Sequence, residues 1–313
     1  MSATGSIFKS LPGFILLALL CWFGYGPAAC AADDLRVLMV LSDGQKLYQN
    51  FANSFQQNLP ANIQIAVVER AEDFSSETHK ADLILSVGVK AAEAVAGKGR
   101  TPLLAAMIPR NKYQDLAAKH LPAQISAVYV DQPWSRQADL IRAALPERSK
   151  VGVLHSPATR LNLGDLRKQL EMRGASLVTR QVTSSASLFE DLEDILARSE
   201  VLLVVPDSEI YNSNNIRNIL LTSYRHGIPL VGISQAYVNA GALCALFSTP
   251  EQLAAQARTM TIVYGNGRNL PDAQHAATFS IAVNPEVART LGEAIKPVES
   301  LLKEIDKSRR TAQ

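Results

Sequence analysis

The chain has 313 residues, a formal net charge of +2, 19% charged and 47% hydrophobic residues. That balance gives no basic surface of the kind nucleic acid requires. Three cysteines, two of them (Cys21 and Cys30) in the first thirty residues, exclude a disulfide framework and a cysteine metal site. Cys244, in an apolar run, reads as a buried inert thiol.

Residues 1–32 read as a secretory signal peptide. Lys9 is the only charge before Asp33, Phe14 to Trp22 is almost wholly apolar, and Pro27-Ala28-Ala29-Cys30-Ala31-Ala32 supplies small residues for cleavage after Ala31 or Ala32. The apolar stretch is short of the roughly 20 residues that a membrane span needs. Pro27 stands where lipoprotein signals carry Leu, which argues against a lipid anchor at Cys30. The mature chain of about 280 residues is long enough for one large or two medium domains.

From Leu35 onward, apolar runs alternate with helical stretches. The expected strands are Val37–Leu41, Ile63–Val68, Leu83–Val87, Leu103–Met107, Ile125–Val130, Val151–Leu154, Ser176–Val182, Val201–Val205 and Leu230–Ile233. Helices are expected at Gln45–Asn58, with Leu47, Phe51 and Phe55 on one face, and at Lys90–Ala96, Ser135–Ala144, Leu161–Arg173, Leu188–Arg198, Asn214–His226 and Pro250–Tyr264. Glu293–Arg310 reads as a charged surface helix with a frayed end. Continuous apolar strands separated by helices mean a parallel sheet covered on both faces, so the class is α/β.

The pattern repeats once. Arg36–Ser42 is similar to Lys150–Ser156, Ala81–Val87 to Ser199–Val205, and Gly99–Leu104 to His226–Val231. The order is kept and the offset drifts slowly, from 114 (36 to 150) to 118 (82 to 200) to 127 (102 to 229). Two similar lobes follow. In open α/β sheets ligands bind beyond the carboxyl ends of the strands, so two facing lobes share a cleft lined by the residues that follow each strand.

Those residues are rich in Ser, Thr, Asp, Asn and Tyr. The candidate ligand set is Ser42, Asp43, Gly88, Asp131, His155, Ser156, Asp207, Tyr211, Ser234 and Tyr237. Many such residues are ordinary helix N-caps; Asn212 or Ser213 is expected to cap the helix from Asn214. Asp207 and Tyr211 precede that cap. Asp207 would hold an ammonium or hydroxyl and Tyr211 would cover an apolar part, so their mutation is expected to abolish binding without loss of folding. Trp134 is expected to pack behind the hinge. Catalytic signatures are absent: there is no Gly-x-Ser-x-Gly elbow, no phosphate loop and no Gly-x-Gly-x-x-Gly after the first strand. His79, His120, His155, His226 and His275 form no His-x-x-x-His pair. Neither cofactor nor metal is expected.

Ala81–Gly88, Leu140–Pro146 with Val151–Leu154, Val201–Asp207, Gly227–Pro229, Val238–Leu243 and Ile281–Ala288, in this order and spacing, resemble the solute-binding proteins of ABC importers. The resemblance implies the type I periplasmic-binding-protein fold: two lobes joined by three crossings, a hinge, and an interlobe cleft that closes on a small ligand. It places lobe 1 at 33–131 and 249–276, lobe 2 at 132–248 and 277–290, and a charged tail at 291–313. Some relatives take aromatic amino acids and carry Asp-Pro after the fourth strand. Here Ile108-Pro109-Arg110 stands instead, so ligand identity does not transfer. The expectation is an exported, periplasmic, monomeric, non-enzymatic protein. It captures a small polar or zwitterionic solute and serves a membrane permease or the sensor domain of a signalling protein. The alternatives are a periplasmic enzyme using Asp43, His155 and Asp207 as acid–base groups, and an envelope scaffold that has lost its ligand.

Overall fold

A computed structural model describes residues 34–76, 80–119 and 124–311. The expected signal peptide, Cys30, His79 and His120 lie outside the described residues. The first sheet is entered by β1 (Leu35–Leu41), α1 (Lys46–Gln56), β2 (Ile63–Val68), β3 (Leu83–Val87), α2 (Val89–Val95), β4 (Leu103–Ile108), α3 (Arg110–Ala117) and β5 (Ile125–Tyr129). The chain then runs through α4 (Trp134–Ala144), β6 (Lys150–His155), α5 (Leu163–Glu171), β7 (Ser176–Gln181), α6 (Leu188–Arg198), β8 (Val201–Leu203), α7 (Ile216–Arg225), β9 (Leu230–Gly232), α8 (Gln235–Ala240) and β10 (Cys244–Phe247). It closes with α9 (Pro250–Gly267), β11 (Gln274–His275), β12 (Ser280–Val283), α10 (Pro285–Leu291) and α11 (Val298–Thr311).

The two sheets have matching strand orders, β2-β1-β3-β4-β5-β11 and β7-β6-β8-β9-β10-β12. All pairings are parallel except β10 with β12. The sequence repeat is therefore a repeat of architecture: β1 and β6, β3 and β8, and β4 and β9 hold equivalent places. A shared device fixes the start of each copy. Asp82, just before β3, accepts the Arg36 amide at 2.9 Å; Glu200, just before β8, accepts the Ser149 and Lys150 amides at 2.7 and 3.1 Å. These bonds favour the ionised carboxylates and hold both below the usual carboxylate range, Asp82 chiefly through the Arg36 side chain and Glu200 through the Ser149 amide.

Side-chain alternation explains the layers. Val37, Met39 and Leu41 of β1, with Leu83, Leu85 and Val87 of β3, join one cluster with Phe51 and Phe55 of α1 and with Leu253, Ala257 and Met260 of α9. Leu38, Val40 and Ile84 point the other way, onto Ala91 and Val95 of α2. Helix α9 thus leaves the second sheet after β10 and packs on the first, opening on a capping box of Thr249 with Gln252. The chain passes between sheets three times, after β5, after β10 and between β11 and β12.

Several expectations are corrected. Leu47 is 46% exposed; the apolar stripe of α1 runs through Tyr48, Phe51, Ala52 and Phe55, the i, i+3, i+4, i+7 spacing. The helix expected from Asn214 begins at Ile216, but Asn212 does accept the amides of Asn214 and Asn215, at 3.0 and 3.2 Å. Helices α3, α8 and α10 and strands β10, β11 and β12 were not expected. Nor is the C-terminal segment a peripheral tail: Leu301 and Ile305 of α11 are 0% exposed in the second lobe's core, and Arg148 bonds Glu293 at 2.6 Å. The charges of this segment conceal an i, i+4 apolar pair. Leu301→Ala is expected to lower unfolding free energy by about 2–5 kcal/mol, read as a lower urea midpoint; a change below about 0.5 kcal/mol, the usual size at surface sites, would mean that the helix is not docked in solution.

Candidate functional site

Two adjoining cavities open between the lobes. The larger, about 570 Å³, has a first-lobe wall from Val89 and Lys90 at the start of α2 and from Pro109, Asn111, Lys112 and Asp115 at α3. Its second-lobe wall comes from Thr159 and Arg160 after β6, Pro206 to Glu209 after β8, and Ile233 after β9, with Tyr211 and Tyr237. The smaller, about 280 Å³, lies nearer the crossings and includes Arg110, Asp131, Trp134, Arg160 and His275. Both therefore lie beyond the carboxyl ends of the strands, where an open α/β sheet places its ligands. Arg160 reaches Asp115 of the opposite lobe at 3.7 Å.

Of the ten expected residues, the structure brings Asp207, Tyr211 and Tyr237 to the larger cavity and Asp131 to the smaller. The other six stand outside these walls. Ser42 is 4% exposed, and its Oγ accepts the Ala91 amide at 3.1 Å, so it caps α2 from a neighbouring strand. Gly88 adopts φ +89°, and a Cβ there would lie 2.7 Å from Tyr48 Cε1. It allows close packing rather than ligand approach. Asp43 accepts the Gln45 amide at 3.0 Å and lies 3.9 Å from Lys90. His155 Nδ1 is 3.4 Å from the Ser156 carbonyl, and the Ser156 hydroxyl bonds that of Thr159 at 3.1 Å. Ser234 precedes α8 without a side-chain capping bond. Asp43 and His155, two of the acid–base set of the enzyme alternative, thus contact backbone groups of their own loops, while Asp207 accepts from two loops.

Asp131 also has a capping role: its Oδ1 accepts the Arg110 amide at the start of α3 at 2.7 Å. Its carbonyl accepts from His275 Nδ1 at 2.7 Å, which fixes the tautomer with Nε2 unprotonated. Burial raises the Asp131 carboxyl pKa and lowers that of His275, the latter helped by Arg110 and Arg136. Asp207 is 2% exposed, with Oδ2 accepting the Ser156 amide at 2.6 Å and Oδ1 the Glu209 amide at 3.1 Å. It ties two cleft loops together while lining the cavity. The Tyr211 hydroxyl bonds the Leu154 carbonyl at 3.5 Å, and burial raises its pKa, keeping it protonated. Trp134, expected behind the hinge, lines the smaller cavity while packing on the second lobe's core. Cys244 is buried, and burial pushes its thiol up to about 12.

The cavity-lining residues that the sequence-derived set lacks are those of α3 and the Thr159–Arg160 loop. Helix α3 has one buried apolar side chain, Leu116, so it lacks a periodic signal. Its available signal was Pro109, the N-cap residue, after a strand. A bulge at Ala106/Ile108, with Met107 at φ 55°, turns the end of β4 into it. Among the described residues no group of His, Cys, Asp and Glu is placed to hold a metal, and no helix is long and apolar enough to cross a membrane.

A family model described as ABC transporter substrate binding protein matches residues 57–309. Among solved structures, the chain is similar to an ABC domain in complex with L-Trp from Streptococcus pneumonia (17% identity, TM-score 0.62, covering 87% of this chain and 98% of that one). It is also similar to a ligand-free, open substrate binding protein with adhesive properties from Clostridium difficile (17%, 0.65, 84% and 96%). A third is a periplasmic ribose ABC transporter from Conexibacter woesei (14%, 0.54, 84% and 96%). At such identities these likenesses establish the fold. No curated protein matches the chain.

Two outcomes follow from the geometry. Asp207→Ala is expected to cost about 1–3 kcal/mol of stability in urea, because it strips the Ser156 and Glu209 amides of their acceptor; unchanged stability would refute that role and restore a purely ligand-facing one. For His275, the lowered folded pKa means that stability is lost as pH falls through the unfolded value of about 6.5. Asp131, its carboxyl raised by burial, acts in the opposite sense, so the His275 contribution is read as a difference between two proteins. By calorimetry between pH 7.5 and 5.5, wild type is expected to lose more melting temperature on acidification than His275→Gln; an equal slope in both would refute it.

Proposed function

Because the chain belongs to the ABC transporter substrate binding protein family, we propose that it captures a small polar or zwitterionic solute between its lobes and delivers it to the membrane permease of an ABC importer. The protein acts in the periplasm after export, as a monomer and without chemistry on its cargo. The observation that carries this reading is the larger cavity itself. Its volume, about 570 Å³, suits a small molecule, and its walls come from both lobes, so a ligand there touches each. Such a ligand favours the closed arrangement by its contacts to the second lobe.

The lining supports a zwitterion. Lys90, Lys112 and Arg160 can face a carboxylate, Asp115 and Glu209 an ammonium, and Tyr211, Tyr237, Val89 and Ile233 an apolar side chain. An amino acid meets all three demands. The similar structure in complex with L-Trp is compatible with such a ligand, while the similar ribose transporter is named for a sugar. The engaged carboxylates of Asp43 and Asp207 weigh against the enzyme reading.

The decisive experiment is thermal shift against a metabolite panel, followed by recovery of the bound solute. At a hundredfold excess over Kd, binding stabilises by about 2.7 kcal/mol, several degrees for a chain of this size. The solute is expected back unchanged; a converted product would establish an enzyme, and no shift with any solute would favour a scaffold.

A further inference from the structure

Where the three crossings meet, a side pocket of about 60 Å³ lies between the cavities, with Asp131, Trp134, Gln137, Pro206, Ile233 and Leu246 among its walls. Gln137, on the first turns of α4, is 2% exposed. Its Nε2 donates to the Leu246 carbonyl at 3.4 Å, while its Oε1 has no hydrogen-bond partner. Flipping the amide would set oxygen against oxygen, so the orientation follows from chemistry. A buried carbonyl without a donor is uncommon and calls for a specific explanation.

No donor of the protein reaches it. Neighbouring Gln132 directs its amide to other partners, with Nε2 on Ser248 and Oε1 on Arg136, both at 2.8 Å. The charged wall residue is Asp131, another acceptor; Trp134 has an indole N–H that Oε1 does not receive, and Pro206, Ile233 and Leu246 are apolar. A pocket with two acceptors and an apolar rim is matched by a small, donor-rich, positively charged group.

We propose that the Gln137 carboxamide oxygen is a specificity determinant of the solute site, accepting a hydrogen bond from the protonated amine of the bound solute beside Asp131. This rests on the solute-binding reading and narrows it to amine-bearing solutes. The amine end enters the floor of the cleft, and the Lys90, Lys112 and Arg160 side chains remain for an acidic end further out.

The test compares wild type with Gln137→Met, which keeps the volume and removes the acceptor. The probes are the twenty L-amino acids, the des-amino analogue of each that shifts wild type, and a set of pentoses and hexoses. Without solute, Gln137→Met removes the orphan acceptor and, with it, the long 3.4 Å bond to the Leu246 carbonyl, so it is expected to melt close to the wild-type temperature. With solute, its affinity for the amine-bearing probe is expected to fall about tenfold or more, and its preference over the des-amino analogue to collapse. Three results overturn the inference alone: wild type responding only to sugars, both proteins binding the amine-bearing probe equally, or a lower melting temperature for the solute-free variant together with an unchanged amine preference. A liganded crystal structure with only an ordered water on Gln137 Oε1 would do the same. If wild type responds to no probe, the solute-binding reading fails and takes this inference with it.

Discussion

The arrangement of the lobes depends on a buried polar knot where the chain crosses between sheets. Gln132 on the first crossing donates to Ser248 on the second at 2.8 Å, and Ser248 donates to the Thr278 carbonyl on the third at 2.7 Å. Arg136, 6% exposed, donates to both Gln132 and the Ala276 carbonyl at 2.8 Å and stacks over Phe279 at 5.0 Å. Buried polar groups are rarely left without a partner, so pulling the crossings apart would break several of these bonds at once.

From that constraint the position of the cleft follows. Each sheet has the order 2-1-3-4-5 in its own strands, so each has its switch point beside its first strand. Tying β5, β10 and the β11–β12 link at one place sets the carboxyl ends of β3 and β4 opposite those of β6, β8 and β9. The residues closest to the knot are then both mechanical and cavity-lining. Asp131 adjoins Gln132, caps α3, receives His275 and still lines a cavity. A change at this position would act on closure and on recognition together, and its two effects separate only when the solute-free protein is measured too.

Most of the fold was legible because its signals are local. Runs such as Val37–Leu41 and Val201–Val205 are apolar at every position, and that pattern belongs to strands covered on both faces. The repeat was legible because the same runs recur in order. The ligand-facing residues were less legible because a polar side chain after a strand has two fates. It can face the cleft, or it can satisfy backbone amides of the adjacent unit. Ser42 serves Ala91, and Asp131 serves Arg110, at separations of 49 and 21 residues. The capping was anticipated, but as local capping, and distance in sequence hid which helix each residue serves. The α3 wall was hidden for a different reason, since a helix with one buried side chain leaves no period to read. In α11 the stripe was present but outvoted by charge: Leu301 and Ile305 stand among Glu299, Lys303, Glu304, Asp306 and Lys307.

The last question is what decides closure. Arg160 and Asp115 form the ion pair that spans the cleft, with side chains 85% and 48% exposed and 3.7 Å apart. Exposed pairs of this kind contribute about 0–1 kcal/mol. Moving a two-state equilibrium from 1:99 to 99:1 takes about 5.5 kcal/mol. The pair is therefore too weak to latch the lobes. On the proposed reading, the difference comes from the groups that a bound solute would join: Lys90, Lys112 and Asp115 on one side, Arg160, Glu209, Tyr211 and Tyr237 on the other. Closure would then report occupancy, because the solute's contacts to both lobes supply what the ion pair does not.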